Sequence, residues 1–151
     1  MKIGVISDTH GLLRDVVFSL FRGVDLIVHA GDIGSMDVIT RLRSIAKTVA
    51  VLGNTDSDHQ LVQELKDSEL VHLDGKALYV LHNINGINVD LSGIDIIVHG
   101  HTHRPEINQQ GRVLYFNPGS AGPKRPRLPV SVGIIEIKNG YVSPWLIDIE
   151  R

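Results

Sequence analysis

Short apolar runs recur along the chain, and each closes on a polar or glycine-bearing turn. Residues 2–7 (KIGVIS) are rich in β-branched side chains and end at Asp8-Thr9-His10-Gly11, which predicts a buried strand. In residues 13–22, Leu13, Val16, Val17 and Leu20 fall at helical spacing and Gly23 follows, which predicts a helix stopping there. Strands at 25–29 and 48–52 flank a helix at about 36–46. This β-α-β-α-β order implies a parallel sheet with right-handed crossovers.

The second half has a different rhythm. Strands are predicted at 69–73, 77–82, 95–99, 113–116, 130–137 and 141–148, joined by turns such as Asp74-Gly75 and Asn139-Gly140. The segment 117–129 holds four of the six prolines and reads as a loop. The expected fold is therefore α/β (α+β), starting with parallel strands and finishing largely as antiparallel β. No repeat or linker divides the chain, so residues 1–151 are read as one domain.

Composition narrows the chemistry more than the fold. A formal net charge of −2 gives no electrostatic footprint for bulk nucleic-acid binding, and Lys124, Arg125 and Arg127 read first as a solvated loop. The absence of cysteine excludes disulfides and thiolate metal sites, so any metal must be held by His, carboxylate, amide or water. The apolar run after Met1 is too short for a signal peptide or a membrane span, making cytoplasmic residence the expectation.

The residues that close the strands form a set. Asp8 and His10 follow the first strand, Asp32 the second and Asn54 the third. His82 closes the strand at 77–82, and His101 and His103 follow the one at 95–99. Parallel strands bring their C-terminal ends to one sheet edge, where open α/β folds place their sites. Oxygen and imidazole donors of this kind suit divalent Mn, Fe, Ni or Zn. Two such ions about 3.5–4 Å apart can clamp a phosphate group. With Asp8, Asp32 and a hydroxide counted against them, they leave a net charge of about +1, which favours an anionic substrate.

The ordered set Asp8-x-His10, Gly31-Asp32, Gly53-Asn54, His82 and Gly100-His101-x-His103 resembles the calcineurin-like metallophosphoesterases. Within that superfamily it is most similar to the small bacterial and archaeal phosphodiesterases, with "SDTHG", "VHAGDIG", "GHTHRP" and "NPGS" matching in order. The resemblance implies a four-layer α-β-β-α sandwich of two packed mixed sheets. It implies a first metal held by Asp8, His10, Asp32 and His103. Asp32 would bridge to a second, completed by Asn54, His82 and His101. A metal-bridging hydroxide would attack phosphorus in line, with Asp32, Asn54 and His101 as the catalytic set. Two divalent ions per chain are expected, Mn²⁺ first and Ni²⁺, Fe²⁺ or Zn²⁺ as alternatives.

Two departures shape the expected substrate. Many members place a proton-donating histidine after the Gly-Asn pair, where this chain has Thr55. A threonine hydroxyl is not a useful acid near neutral pH, so diesters with good leaving groups are favoured. After His82 the sequence runs Asn83-Ile84-Asn85-Gly86, and only sixteen residues (83–98) precede His99. The usual helix is expected to be shortened or absent, opening one wall of the cleft.

Other residues are weighed more evenly. Arg104 either contacts a substrate phosphate or makes a structural ion pair. Asn54 is also a substrate-binding candidate. Asp56 is expected to orient the Asn54 loop, and Asn117 either to support the site or to form a tight turn. His29 and His99 read as core or supporting residues, His59 and His72 as surface. A phosphodiesterase acting on a small phosphate ester is the expectation, with a phosphomonoesterase or a non-catalytic scaffold on the same fold as alternatives. A homo-oligomer stays open.

Overall fold

The structure, a computed structural model, describes residues 1–149. Its first sheet contains β1 (Lys2–Ile6), β2 (Leu26–His29), β3 (Thr48–Ala50), β9 (Ser131–Lys138) and β10 (Tyr141–Asp148), in the order β10-β9-β1-β2-β3. Strands β1, β2 and β3 are parallel, while β9 returns antiparallel to β1 and pairs with β10 as a hairpin. The second sheet contains β4 (Ser68–Leu73), β5 (Lys76–Leu81), β6 (Ile96–Val98), β7 (Glu106–Gln110) and β8 (Val113–Asn117), in the order β4-β5-β6-β8-β7.

This second sheet differs from the largely antiparallel expectation. Its three central strands, β5, β6 and β8, are mutually parallel, and only the edge strands β4 and β7 are antiparallel. Turn signals identified the hairpins correctly: Asp74, Gly75, Asn139 and Gly140 all have positive φ, as tight two-residue turns require. They did not show that the chain crosses over between β5 and β6. Strand β7 (EINQQ) escaped the sequence reading because it is mostly exposed and carries a single large apolar side chain, Ile107.

Alternation along each strand builds the layers. Ile3 and Val5 of β1 and Leu26 and Val28 of β2 pack between the sheets against Leu78, Val80, Ile96, Val98 and Phe116. The opposite face, with Ile6 and Ile27, is covered by three short helices: α1 (Val16–Leu20), α2 (Met36–Arg43) and α3 (His59–Glu64). These contribute Val17, then Val38, Ile39 and Leu42, then Leu61. The helix expected at 13–22 is confined to Val16–Leu20, with Gly23 (φ +82°) beyond its end. Helix α3 was not foreseen, having one buried residue and a cap, Asp58, whose carboxylate accepts the N–H groups of Gln60 and Leu61.

The outer face of the second sheet is covered more thinly. A 3₁₀ turn at Ile84–Gly86 and the following coil lay Ile84, Ile87 and Leu91 over Tyr79, Leu81 and Ile97. The two packed mixed sheets of the expected sandwich are present, and this fourth layer is the shortened segment that the spacing after His82 predicts. No helix among the described residues is long and apolar enough to cross a membrane.

Candidate metal centre

All the parallel strands of both sheets end at a common place. Beyond β1 stand Asp8 and His10, beyond β2 Asp32, beyond β3 Asn54, beyond β5 His82, and beyond β6 His101 and His103. Asn117 closes β8. The backbone at these positions is unusual. Asp8, His10, Asp32, His101 and His103 all have φ between 46° and 72°, a region that non-glycine residues enter at a cost. The surrounding hydrogen bonds hold them there. Asp8 N–H donates to Gly31 O (3.0 Å), His10 N–H to Asp32 O (3.0 Å), and Ala121 N–H to Ser7 O (3.0 Å).

Each carboxylate has one oxygen pinned and the other free. Asp8 Oδ2 accepts the Ser7 hydroxyl at 2.7 Å and the His101 N–H at 3.2 Å. Its Oδ1 is buried without a hydrogen-bond partner and faces His103 Nε2 at 3.3 Å, His82 Nε2 at 3.8 Å and His10 Nε2 at 4.0 Å. Asp32 Oδ1 accepts the Thr55 N–H at 2.9 Å, while Oδ2 faces His82 Nε2 at 3.3 Å and His10 Nε2 at 3.8 Å.

The imidazoles complete this arrangement. His82 Nδ1 lies 2.8 Å from the carbonyl oxygen of Ala30, which can only accept, so Nδ1 carries the proton. In the neutral ring Nε2 is then a bare lone pair, and it has no hydrogen-bond partner. His10 Nε2 is likewise buried and unpartnered. Such a cluster of unsatisfied donors and acceptors is rare in a folded interior unless a cation joins it. Two donor groups are compact enough to hold one: Asp8, His10 and His103, and Asp8, Asp32 and His82. Asp8 belongs to both, and Asp32 Oδ2 lies between His10 and His82.

Asn54 and His101 stand at the exposed rim beside these groups. His101 Nδ1 is 3.3 Å from Asn54 Oδ1, and its ring meets that of His82 edge-on at 5.2 Å. His101 is outside both compact groups.

The electrostatics of the metal-free chain follow from burial against charge. Burial pushes the Asp8 carboxyl up, but the His103 imidazole beside it and the Ser7 hydroxyl outweigh this and leave it below the usual carboxylate value. Burial raises Asp32 too, yet His82 and Thr55 together hold it well below that value. For His82 burial lowers the pKa, and the Asp32 and Asp8 carboxylates more than reverse this. A proton on His82 therefore acts as the counter-charge that a cation would displace.

Supporting residues fix the loops. Asp56 accepts three backbone N–H groups: Ile33 (2.8 Å) and Gly34 (3.0 Å) through Oδ1, and Gly53 (2.8 Å) through Oδ2. It thereby ties the Asp32 loop to the Asn54 loop. Asn117 donates to Gly100 O and Thr102 Oγ1, both at 3.1 Å, and accepts Gly119 N–H, bracing the turn that carries His101 and His103. Arg104 is exposed at the edge of the site, and its guanidinium makes no ion pair among the described residues.

His29 is fully buried, accepts the Gly31 N–H at Nδ1 and reaches Thr9 Oγ1 through Nε2. His99 is also buried, while His59 and His72 are exposed. Sequence reasoning missed Ser7, Arg14 and Ser120. Arg14 donates to the carbonyls of Ala121 and Gly122, and Ser120 Oγ to Asp8 O, so all three hold Asp8 or the loop behind it. The signal available was a serine inside an otherwise apolar strand end.

Comparison with known proteins agrees with this geometry. Residues 1–140 match the family profile of the calcineurin-like phosphoesterase superfamily domain. A probable metallophosphoesterase of Methanocaldococcus jannaschii is 36% identical over 144 residues, spanning 86% of this chain and 72% of that protein. The phosphodiesterase YfcE of Escherichia coli K12 is 30% identical over 165 aligned positions, spanning 90% of this chain and 88% of that one. Among solved structures, a single-substitution variant of Vps29 from Entamoeba histolytica superposes with a TM-score of 0.75 at 22% identity, covering 99% of this chain and all of the other. Vps29 thus shares the fold, while the closer sequence likeness lies with the phosphoesterases. The chain belongs to the calcineurin-like phosphoesterase superfamily.

Proposed function

We infer that this protein is a divalent-metal-dependent phosphodiesterase with a dinuclear centre. The observation that carries the reading is the convergence of buried, unpartnered donor atoms, Asp8 Oδ1, His10 Nε2 and His82 Nε2, on one point between two carboxylates. In this reading Asp8, His10, Asp32 and His103 hold one ion, and Asp32, Asn54, His82 and His101 the other. Bound there, two divalent ions, Mn²⁺ foremost, supply Lewis acidity to the phosphoryl oxygens and an activated water as nucleophile.

The remaining work falls to the chain. The pinned oxygens of Asp8 and Asp32 fix the orientation of the free ones, so no carboxylate has to reorient during turnover. Ala30 O holds His82 in the tautomer that leaves Nε2 available. Asn54 and His101 form the solvent-facing rim, where a phosphate oxygen would be met. Thr55 spends its N–H on Asp32 and offers no acid, so the leaving group departs with little help from the protein. Activated diesters should therefore turn over better than phosphomonoesters or esters of simple alcohols.

The test is hydrolysis of bis-p-nitrophenyl phosphate by purified protein supplied with Mn²⁺, Ni²⁺, Zn²⁺ or Mg²⁺, beside p-nitrophenyl phosphate. Turnover of the diester is expected with at least one ion and to exceed that of the monoester. Asp32→Ala should abolish it, because it removes the oxygen lying between His10 and His82. No turnover with any ion, or full activity in the variant, overturns the reading. Metal content with no turnover on any ester would instead favour a scaffold.

A further inference from the structure

A cavity of about 410 Å³ opens directly from the metal centre on the side of Asn54 and His82. It lies where the segment after His82 forms a 3₁₀ turn in place of a full helix, between that turn and the residues following β3. Leu52, Leu81 and the ring of Tyr79 give it an apolar wall. Asn83, Asn88, Asp67 and Ser68 supply the polar side chains, and no Lys or Arg lines it. Tyr79 and Leu81 share the outer face of β5, where Ile84, Ile87 and Leu91 pack against them and leave both largely buried.

We propose that this cavity is the subsite for one arm of the substrate diester and that it selects an uncharged, hydrogen-bonding arm of nucleoside or sugar size. Three features converge on that class. The volume lies within the range of small-molecule pockets, while a methyl or ethyl arm would leave it mostly empty. The amides are available: Asn83 Oδ1 is used by Asn85 N–H, leaving its Nδ2, and no hydrogen bond joins the Asn88 side chain to the other described residues. Amides paired with an apolar wall suit the edge and face of a heterocycle or the hydroxyls of a sugar. The third feature is charge. Asp67 is the only carboxylate in the lining and no Lys or Arg stands opposite it, so a second phosphate or a carboxylate on the arm meets repulsion without a side-chain counter-charge from Lys or Arg. The anionic part of the substrate is thereby confined to the metals.

This inference rests on the phosphodiesterase reading, and its test separates the two. Two aryl diesters sharing the p-nitrophenolate leaving group are compared on metal-loaded protein, one with methyl as its second arm and one with thymidine. The kcat/KM ratio of thymidine to methyl ester is expected to exceed about tenfold, the scale of one or two well-placed neutral hydrogen bonds. Asn83→Ala/Asn88→Ala should lower that ratio about tenfold, chiefly through KM. Asn88→Ala alone, which removes no internal hydrogen bond, should lower it by a smaller amount in the same direction. A wild-type ratio of one or less, or one unmoved by these substitutions, overturns the subsite. A second measurement does not depend on turnover: saturation-transfer NMR of thymidine with metal-free protein. A thymidine signal that weakens in the double variant is expected, and its absence overturns the subsite. Failure of both diesters to turn over while that signal persists overturns the catalytic reading alone.

Discussion

His29 illustrates how much of this site depends on single protons. Its Nδ1 accepts from Gly31 N–H, so Nε2 carries the hydrogen and donates to Thr9 Oγ1, whose own hydrogen goes to Ile33 O (2.8 Å). Every position in that chain is filled only when the ring is neutral, and burial pushes its pKa down to about 3. Between that value and the unfolded pKa near 6.5, the unfolded chain binds a proton that the folded chain refuses. Stability contributed by neutral His29 is thus present above about pH 6.5 and is lost as pH falls below it, by at most about 1.4 kcal/mol per pH unit. Urea denaturation from pH 7 to pH 5 should show a shallower decline in His29→Gln than in the parent; equal slopes would contradict the assignment. Asp56 acts by tying the Asp32 loop to the Asn54 loop. Removing its three N–H contacts in Asp56→Ala should cost about 2–3 kcal/mol, read as a lower urea midpoint at unchanged m-value. The placement of Asp8, Asp32, Asn54 and His101 beyond strand ends was legible in the sequence, because each follows a recognisable apolar run. The left-handed backbone of Asp8, Asp32 and His101 and the pinned oxygens of Asp8 and Asp32 were not, since the partners involved, such as Ser7 and Thr55, come into reach only in the tertiary fold.

At the scale of elements, the parallel strands and the turns after them make the site. Strands β1, β2 and β3 were readable because a buried parallel strand is a continuous β-branched run with a polar stop. Helix α3 and strand β7 were not, since one buried leucine or one apolar residue leaves no period to detect. The turn after β6 shows how closely two elements approach. A Cβ on Gly100 would stand 2.1 Å from Ser7 Oγ and 2.7 Å from Asp8 Oδ2. Gly100→Ala must therefore displace the hydroxyl that orients Asp8 or push the whole turn, with His101 and His103, away from β1. We expect metal affinity to fall about 10–100-fold, the scale of losing a partner that orients a ligand. Calorimetric titration with Mn²⁺ reads this directly. Affinity equal to that of the parent would show that Ser7 does not position Asp8.

For the whole molecule, the centre lies where two sheets packed through an apolar core meet. Asp8, His10, Asp32 and Asn54 come from the first sheet and His82, His101 and His103 from the second, so an ion bound between them links both across the core. The unfolded chain, lacking the preformed site, binds that ion far more weakly, and occupancy adds stability by mass action. At a free Mn²⁺ concentration about a hundredfold above the dissociation constant, the gain is about 2.7 kcal/mol. For a chain of this size that corresponds to a rise in melting temperature of about 5–10 °C. A chelator should reverse the rise. Acid should diminish it too, because binding displaces the proton that Asp32 and Asp8 favour on His82. Substitution on either sheet should remove most of the shift: Asp8→Ala on one side and His82→Ala on the other. If His82→Ala kept the full shift while Asp8→Ala lost it, the stabilising ion would be held by the Asp8, His10 and His103 group without His82. The cross-sheet link would then run through His103 instead.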